Sequence, residues 1–257
     1  MNPPLRIHTL PSFTVRTMQY TGETRPPLDR SVPSDLHTAL FALGCFWGPD
    51  ARFGAVAGVV RTCVGYAGGR TEAPTYENIG DHIETVRVEY DPSRVTYADL
   101  LLLFWASHDP TRPPFKRQYQ PALFPETTAQ ADQAHASVAA RHEEEGTSLT
   151  TEVIEDASFY RAEAYHQKHK LRRHPVLLDA LQQLYPDEAA LTDAPSAALL
   201  NGYVGGHRAP RHLDADLQQL GLSPEAARRL RTLVARCHSS SQPDDGSTSP
   251  SSPPSQS

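Results

Sequence analysis

The sequence predicts an α+β fold in which helices pack against one mixed β-sheet, as a two-layer sandwich. Short apolar or β-branched runs, which are typical of strands, alternate with longer segments whose apolar residues recur at helical spacing. These segments do not follow the regular strand–helix–strand order of a parallel sheet, and this favours a mixed sheet. After Pro175 the pattern is helical only, so we expect a helical C-terminal extension over residues 176–238.

The strands are predicted from apolar runs, β-branched composition, or alternation of apolar and polar side chains. The predicted strands are residues 39–43, 58–64, 84–90, 119–124 and 149–154. The fourth of these fits only the edge of a sheet, because Pro121 cannot donate a backbone hydrogen bond.

Helices are predicted where apolar side chains recur every three or four residues. Residues 97–107 give the clearest case, because four large apolar side chains fall on one face. Further helices are expected directly after Trp47 and over residues 127–145, 158–169 and 176–185. Residues 201–206 are expected to form a glycine-rich loop, and a last helix begins at Ser223, a suitable N-cap.

The two ends of the chain differ in composition from the rest. Residues 1–36 are rich in Pro, Thr and Arg without a sustained period, and we predict a disordered leader there. Residues 239–257 are almost entirely polar or Pro, and such a Ser/Pro-rich tail cannot bury enough apolar surface to order itself. The main domain is therefore expected over residues 37–175, followed by the helical extension.

Composition and charge exclude several classes of protein. The 257 residues carry a net charge of −6 and are 39% hydrophobic and 21% charged, as in ordinary soluble proteins. No apolar run is long enough to cross a membrane, and no basic stripe indicates nucleic-acid binding. Three widely spaced cysteines indicate neither a disulfide framework nor a zinc site. We expect a reducing compartment, the cytoplasm; Arg6 and Arg16, with no acid before Glu23, give only a faint signal for organelle import.

The segment Gly44-Cys45-Phe46-Trp47-Gly48 carries the main functional signal. It joins the first predicted strand to a helix, and Pro49 and Asp50 suit the first turn of that helix. A cysteine there faces unpaired backbone N–H groups, which predicts a lowered thiol pKa and a nucleophile. A lone cysteine is more often a buried core residue. A thiol, two aromatic rings and two glycines at one junction indicate a catalytic site instead.

This motif resembles the signature of the A-type peptide methionine sulfoxide reductases, and further motifs of that family follow in the same order. The matching segments are Gly65–Gly69, Pro74–Tyr76, His82–Glu84, Tyr90–Pro92, Phe104–Trp105, His108–Pro110, Gln118–Tyr119, Thr150–Glu152, Phe159–Glu163 and His166–Gln167. The resemblance covers residues 38–170. It implies a catalytic domain that reduces methionine-S-sulfoxide, in proteins and as the free amino acid.

Reduction of a sulfoxide requires a thiolate, a proton donor and an apolar pocket for the methyl group. Cys45 is the thiol, and the resemblance implies that Glu84 is the proton donor, a role that suits a carboxyl group kept neutral by burial. The substrate-binding residues that it implies are Phe46, Trp47, Tyr76 and Tyr119. By itself Glu84 would be read as a solvated carboxylate at the start of a strand.

The reaction leaves a sulfenic acid on Cys45, which a second thiol must reduce. We expect thioredoxin or another thiol donor as the partner, no metal or organic cofactor, and a monomer. Residues 202–206 resemble the segment in which many family members carry a resolving cysteine, but they contain none. Cys237 is a candidate resolving cysteine. The favoured alternatives are that Cys237 is an idle surface thiol and that an external thiol attacks the sulfenic acid on Cys45 directly. Cys63 is expected to be a core residue.

The chain departs from the family pattern in two places. The segment between Tyr76 and His82 is short, and residues 113–117 replace the usual Asp-x-Gly before Gln118. The second change removes an aspartate that in the family helps to hold the active site, and Asp109 is a candidate replacement.

Two other functions stay open at this stage. Because the aspartate is missing, the chain could be a non-catalytic module that binds methionine-rich or oxidised peptides. Because Cys45 is present, it could also be a thiol peroxidase, although that function gives Phe46 and Trp47 no role. Three nearby histidines are expected on helix surfaces, because no carboxylate or thiol completes a metal-binding set with them. These are His166, His169 and His174.

Overall fold

The computed structural model describes residues 25–239; most of the predicted leader and the tail from residue 240 lie outside the described residues. The strands are β1 His37–Ala42, β2 Val59–Ala67, β3 Ile83–Tyr90, β4 Ala122–Phe124, β5 Glu152–Val153 and β6 Phe159–Arg161. They form one sheet in the order β5-β4-β1-β3-β2-β6. Neighbouring strands are antiparallel except β4 and β5, which are parallel, so the predicted mixed sheet and α+β class are confirmed.

The helices lie between the strands and, after residue 175, follow one another without further strands in the described part. They are α1 Pro27–Arg30, α2 Trp47–Gly54, α3 Tyr97–Trp105, α4 Thr128–Glu145, α5 His169–Arg172, α6 Pro175–Gln182, α7 Glu188–Thr192, α8 Pro195–Val204, α9 Leu213–Leu220 and α10 Pro224–Ser239. The predicted cap of α10 is present, since Ser223 Oγ accepts a hydrogen bond from the Ala226 N–H. In the part of the chain that the structure describes, no helix is long and apolar enough to cross a bilayer.

The sheet separates two apolar layers, because successive side chains of a strand point to opposite faces. On one face, Phe41 of β1 packs with Phe53 of α2 and Phe104 of α3. On the other face, Leu40 and Ala42 of β1 lie in a cluster that residues 154–159 cover. A third core joins α6 through α10 into the C-terminal helical part.

The helix predicted over residues 158–169 is wrong. Residues 159–161 form β6, which pairs with Gly65–Ala67 of β2, and a 3-10 turn follows at Ala164–His166. The edge of β2 offers unpaired backbone groups, and satisfying them outweighs the helical pattern of the segment. The strands predicted at 119–124 and 149–154 are shorter, because a 3-10 turn occupies Arg117–Tyr119 and only residues 152–153 pair with β4.

The glycine-rich loop predicted at residues 201–206 is also wrong, because most of it lies inside α8. Its glycines allow α8 to approach the helix that follows Cys45. A Cβ atom added to Gly202 would lie 2.8 Å from the Cβ of Ala55, just after α2. In return, a Cβ added to Gly54 would lie 2.6 Å from the Ala198 carbonyl oxygen. The missing side chain therefore matters here for packing rather than for backbone freedom.

Residues 25–36, predicted as part of the disordered leader, are ordered and include α1. One side chain anchors them: Asp29 accepts hydrogen bonds from the Ser196 N–H at 2.7 Å, from Ser196 Oγ at 2.6 Å and from Tyr185 Oη at 2.5 Å. Composition alone does not reveal an anchor that joins residues more than 150 positions apart in the chain.

We expect Gly54→Ala to lower the free energy of unfolding by about 1–3 kcal/mol, because the added methyl group meets a backbone carbonyl that cannot turn away. Gly48→Ala is the matched control in the same helix, since its added Cβ meets nothing within 4 Å. Urea unfolding of the two variants measures the difference. Equal stabilities would contradict the close contact between α2 and α8.

Candidate active site

Cys45 lies at the junction between β1 and α2, as predicted. Gly44 has φ of +88°, in the left-handed region where a side chain is strained, so the turn into the motif requires glycine. Cys45 is exposed, and α2 begins two residues later at Trp47. The thiol thus stands beside the first turn of a helix and is open to a substrate.

The predicted lowering of the Cys45 pKa is wrong. Although the residue is exposed, loss of solvent around the thiol raises its pKa above the usual value, and the neighbouring Glu84 raises it further. The Trp47 backbone N–H and the Lys170 ammonium group act in the opposite direction without cancelling these effects. The thiol is therefore protonated at neutral pH, and its proton must be removed during a reaction.

Glu84, on β3, is the group placed to handle that proton. Its side chain is 2% exposed, and burial is the main reason why its pKa is raised. The Phe46 N–H donates to Oε2 at 3.0 Å and Gln118 Nε2 donates to Oε1 at 3.0 Å. Glu84 is also close enough to Cys45 to contribute to the raised pKa of the thiol. Glu84 thus joins the nucleophile, the start of α2 and the 3-10 turn at Arg117–Tyr119.

The aromatic residues surround this pair at different depths. Phe46 is 1% exposed and packs against Tyr66, so it supports the site from the core. Trp47 is half-buried and Tyr76 is 41% exposed. Loss of solvent, with the nearby Glu84, Tyr76 and Cys45 groups, raises the pKa of Tyr119 to about 12. All four predicted substrate-binding residues therefore lie around or beneath Cys45.

Two histidines predicted on a helix surface belong to this site instead. Trp47 Nε1 donates to His166 Nδ1 at 3.1 Å, and the Trp47 ring stacks on His169 with centroids 3.6 Å apart. Because indole can only donate, His166 Nδ1 accepts, and the ring proton is on Nε2. Burial lowers the pKa of both histidines, which keeps the imidazoles neutral. The third histidine, His174, is half-buried directly before α6.

His166 is 2% exposed, and the sequence offers one signal for it. His166 belongs to a segment that matches a motif of the family. The spacing of possible metal ligands gave no reason to place it in the active site. The adjacent Gln167 is also buried and bonds both backbone groups of Val64 on β2, which fixes this turn against the sheet.

A second buried carboxylate fixes the position of α2. Asp50 Oδ1 accepts from Thr62 Oγ1 at 2.6 Å and from Lys168 Nζ at 2.8 Å. Its Oδ2 accepts from the Lys168 N–H and from Asn201 Nδ2, both at 3.0 Å. Asp50 and Lys168 are both 0% exposed. Sequence reasoning placed Asp50 only at the first turn of a helix and missed Lys168 and Asn201.

The candidate replacement for the missing aspartate is wrong. Asp109 is exposed, and its Oδ1 accepts from the Thr111 N–H and hydroxyl in a local turn. The group that holds Glu84 from this side of the site is Gln118.

The other two cysteines lie on different elements. Cys63 is 2% exposed on β2, and burial raises its pKa, which agrees with the predicted core residue. Cys237 lies within α10, in the C-terminal helical part. The groups that influence the Cys45 thiol are Glu84, Trp47 and Lys170.

Comparisons with known proteins identify relatives of this chain. The family model described as peptide methionine sulfoxide reductase matches residues 37–191, more than half of the chain. A peptide methionine sulfoxide reductase of Drosophila melanogaster is 39% identical over 213 residues, which cover 82% of this chain and 85% of that protein.

Two solved structures have a similar fold. Mxr1 from Saccharomyces cerevisiae in its reduced form superposes with a TM-score of 0.51 at 28% identity, over 56% of this chain and 88% of that one. Methionine sulfoxide reductase A of Corynebacterium diphtheriae superposes with a TM-score of 0.50 at 32% identity, over 57% of this chain and 78% of that one.

We expect Asp50→Asn to lower the free energy of unfolding by about 3–5 kcal/mol, because it leaves the Lys168 ammonium group buried without its counter-charge. The double variant Asp50→Asn/Lys168→Met removes that charge as well and should recover part of the loss. Urea unfolding of the wild type, both single variants and the double variant gives the coupling energy. Strictly additive effects would contradict a buried ion pair.

Proposed function

The chain belongs to the peptide methionine sulfoxide reductase family, and we propose that it reduces the S epimer of methionine sulfoxide, in proteins and as the free amino acid, through a sulfenic acid on Cys45. Methionine sulfoxide reductase activity follows from family membership. Belonging to an enzyme family also argues against the alternative of a non-catalytic binding module. The epimer, the intermediate and the roles of the residues are the proposed part.

One observation carries the proposed mechanism: the buried Glu84 carboxyl group accepts a hydrogen bond from the N–H of Phe46, the residue after Cys45, and it raises the pKa of the Cys45 thiol. Because the Cys45 pKa is raised, the attacking sulfur must lose a proton as it attacks, and Glu84 is in place to accept it. Because the Glu84 pKa is raised as well, the protonated carboxyl group is then a good donor to the sulfoxide oxygen.

The step balances in atoms and electrons. The Cys45 sulfur bonds to the sulfoxide sulfur, and the oxygen receives the proton from Glu84. The resulting hydroxyl group then leaves the substrate sulfur for the Cys45 sulfur as the bond between the two sulfurs breaks, which gives a sulfenic acid on Cys45. Methionine leaves as the thioether, so the sulfoxide sulfur is reduced by two electrons and the Cys45 sulfur is oxidised by two. Trp47, Tyr76 and Tyr119 hold the substrate above the thiol, with the Tyr119 hydroxyl close to the reacting groups.

The sulfenic acid is reduced by a thiol from outside the chain, for which we propose thioredoxin or another dithiol protein. One thiol condenses with the sulfenic acid to a mixed disulfide and water, and a second thiol releases Cys45. A cycle that ends on a free thiol suits a reducing compartment such as the cytoplasm. We propose that the protein acts as a monomer.

We expect turnover of S-methionine sulfoxide with dithiothreitol, and little with the R epimer. Cys45→Ser should abolish this turnover, because a hydroxyl group cannot accept the oxygen as a sulfenic acid does. Cys63→Ser and Cys237→Ser are the matched cysteine controls and should retain it. The rate is measured as the dithiothreitol consumed per unit time, and the sulfoxide reduced is measured beside it. Activity in Cys45→Ser would refute the mechanism. If Cys237→Ser lost turnover with thioredoxin but kept turnover with dithiothreitol, Cys237 would be the resolving cysteine.

A second prediction separates proton transfer from nucleophilicity. Glu84→Gln can still accept the Phe46 N–H bond, and it should slow a single turnover by about 10²–10⁴-fold, the usual contribution of a positioned general acid. Removing the carboxylate charge should also lower the Cys45 pKa, since that charge raises it. The pH at which iodoacetamide alkylation is half-maximal should therefore fall. A wild-type single-turnover rate in this variant would mean that the proton comes from another group.

A further inference from the structure

A cleft of about 460 Å³ adjoins the active site on the side of Gly44 and Tyr119. Its walls are mainly apolar and come from two loops and the end of β1. The wall residues that matter here are Leu43, Gly44, Pro113, Phe115, Tyr119 and Pro121. Gly44 directly precedes the proposed nucleophile, and Tyr119 is a proposed substrate-binding residue, so the cleft adjoins the site through two of its own lining residues.

Phe115 is the most conspicuous residue of this cleft. Its side chain is 80% exposed, more than any other large hydrophobic residue in the described part of the chain. Its ring lies 4.9 Å from that of Tyr119, so it extends the aromatic wall of the active site outward. An exposed aromatic ring beside a binding site gains free energy when a second apolar group covers it.

The loop that carries Phe115 is braced, so the cleft is formed before a ligand arrives. Two prolines, Pro113 and Pro114, restrict its backbone. At its start, Thr150 donates to the Pro110 carbonyl oxygen at 2.7 Å from its N–H and at 3.0 Å from its hydroxyl. A braced loop loses little conformational entropy on binding.

The cleft offers little to a charged ligand. Asp109 at its edge already accepts two hydrogen bonds from Thr111. His108 uses Nδ1 at the Phe104 carbonyl oxygen, and burial lowers its pKa, so its imidazole is neutral. Arg112 is an exposed cation at the rim. The interior therefore suits an apolar side chain.

We propose that this cleft is a subsite for an apolar or aromatic side chain two residues from the methionine sulfoxide in a peptide substrate; the proposal rests on the proposed function. In an extended peptide, side chains two residues apart point to the same face and stand about 6.6–7 Å apart. When the sulfoxide side chain reaches Cys45, the second neighbour faces the same surface of the enzyme. Residues 113–117, where the sequence departs from the family pattern, would then set substrate preference.

The test compares two peptides that carry S-methionine sulfoxide and differ only in having Phe or Ser at both second positions from it. Covering part of a phenylalanine side chain should favour the Phe peptide about fivefold in kcat/KM, mainly through KM. In Phe115→Ala this ratio should fall to about one. Leu102→Ala is the matched control: Leu102 is 69% exposed on α3, outside the cleft, and its loss should leave the ratio unchanged.

Two results would overturn the subsite: a ratio of one in the wild type, or the same ratio in Phe115→Ala as in the wild type. Neither would affect the proposed function, because turnover of the Ser peptide and of free S-methionine sulfoxide is measured beside them. Absence of turnover for all three substrates in the wild type would overturn the proposed function itself, and the subsite with it.

Discussion

The buried carboxylate of Asp50 is the interaction on which the position of the nucleophile depends. Its two oxygens accept four hydrogen bonds, from Thr62, from the backbone and side chain of Lys168, and from Asn201. These partners fix the first turn of α2 to β2, to the turn before α5 and to α8. A buried ion pair of this kind is stable only when its polar atoms are satisfied, and here they are. Lys168 even adopts φ of +52°, a strained conformation for a residue with a side chain.

The site built on that helix controls a proton more than it activates a thiolate in advance. A helix N-terminus alone would lower the pKa of Cys45, but loss of solvent and the nearby Glu84 raise it. The same burial raises the pKa of Glu84. In the proposed mechanism the Glu84 carboxylate takes the thiol proton and then gives it to the substrate, so one proton is exchanged between neighbouring groups. Gln118 and the Phe46 N–H hold the carboxyl group in line with that exchange.

Sequence reasoning reached the parts of the site that local patterns and motif order encode. It placed Cys45 at a strand-to-helix junction and Glu84 on a strand beside it, and both predictions of position agree with the structure. Sequence reasoning missed the residues whose position in the site depends on contacts between distant parts of the chain. Asn201 is 151 residues from Asp50, and Lys168 is 118 residues from it, so no local pattern links them. The prediction for Asp109 was wrong because of a local contact: its carboxylate accepts a hydrogen bond from the Thr111 N–H in a turn.

In the C-terminal extension, a glycine-rich segment serves helix packing, whereas the similar segment of many family members carries a resolving cysteine. The segment 202–206 resembles a place where family members carry a resolving cysteine, yet here it is the end of a helix packed on α2. A Cβ on Gly205 would lie 2.8 Å from the Cβ of Ala51, and one on Gly202 would lie equally close to Ala55. A helix held this closely cannot carry a thiol to Cys45 without separating from α2, and the Asn201–Asp50 hydrogen bond would break with it. The extension therefore holds α2, the helix that follows Cys45, through close packing and the hydrogen bond from Asn201.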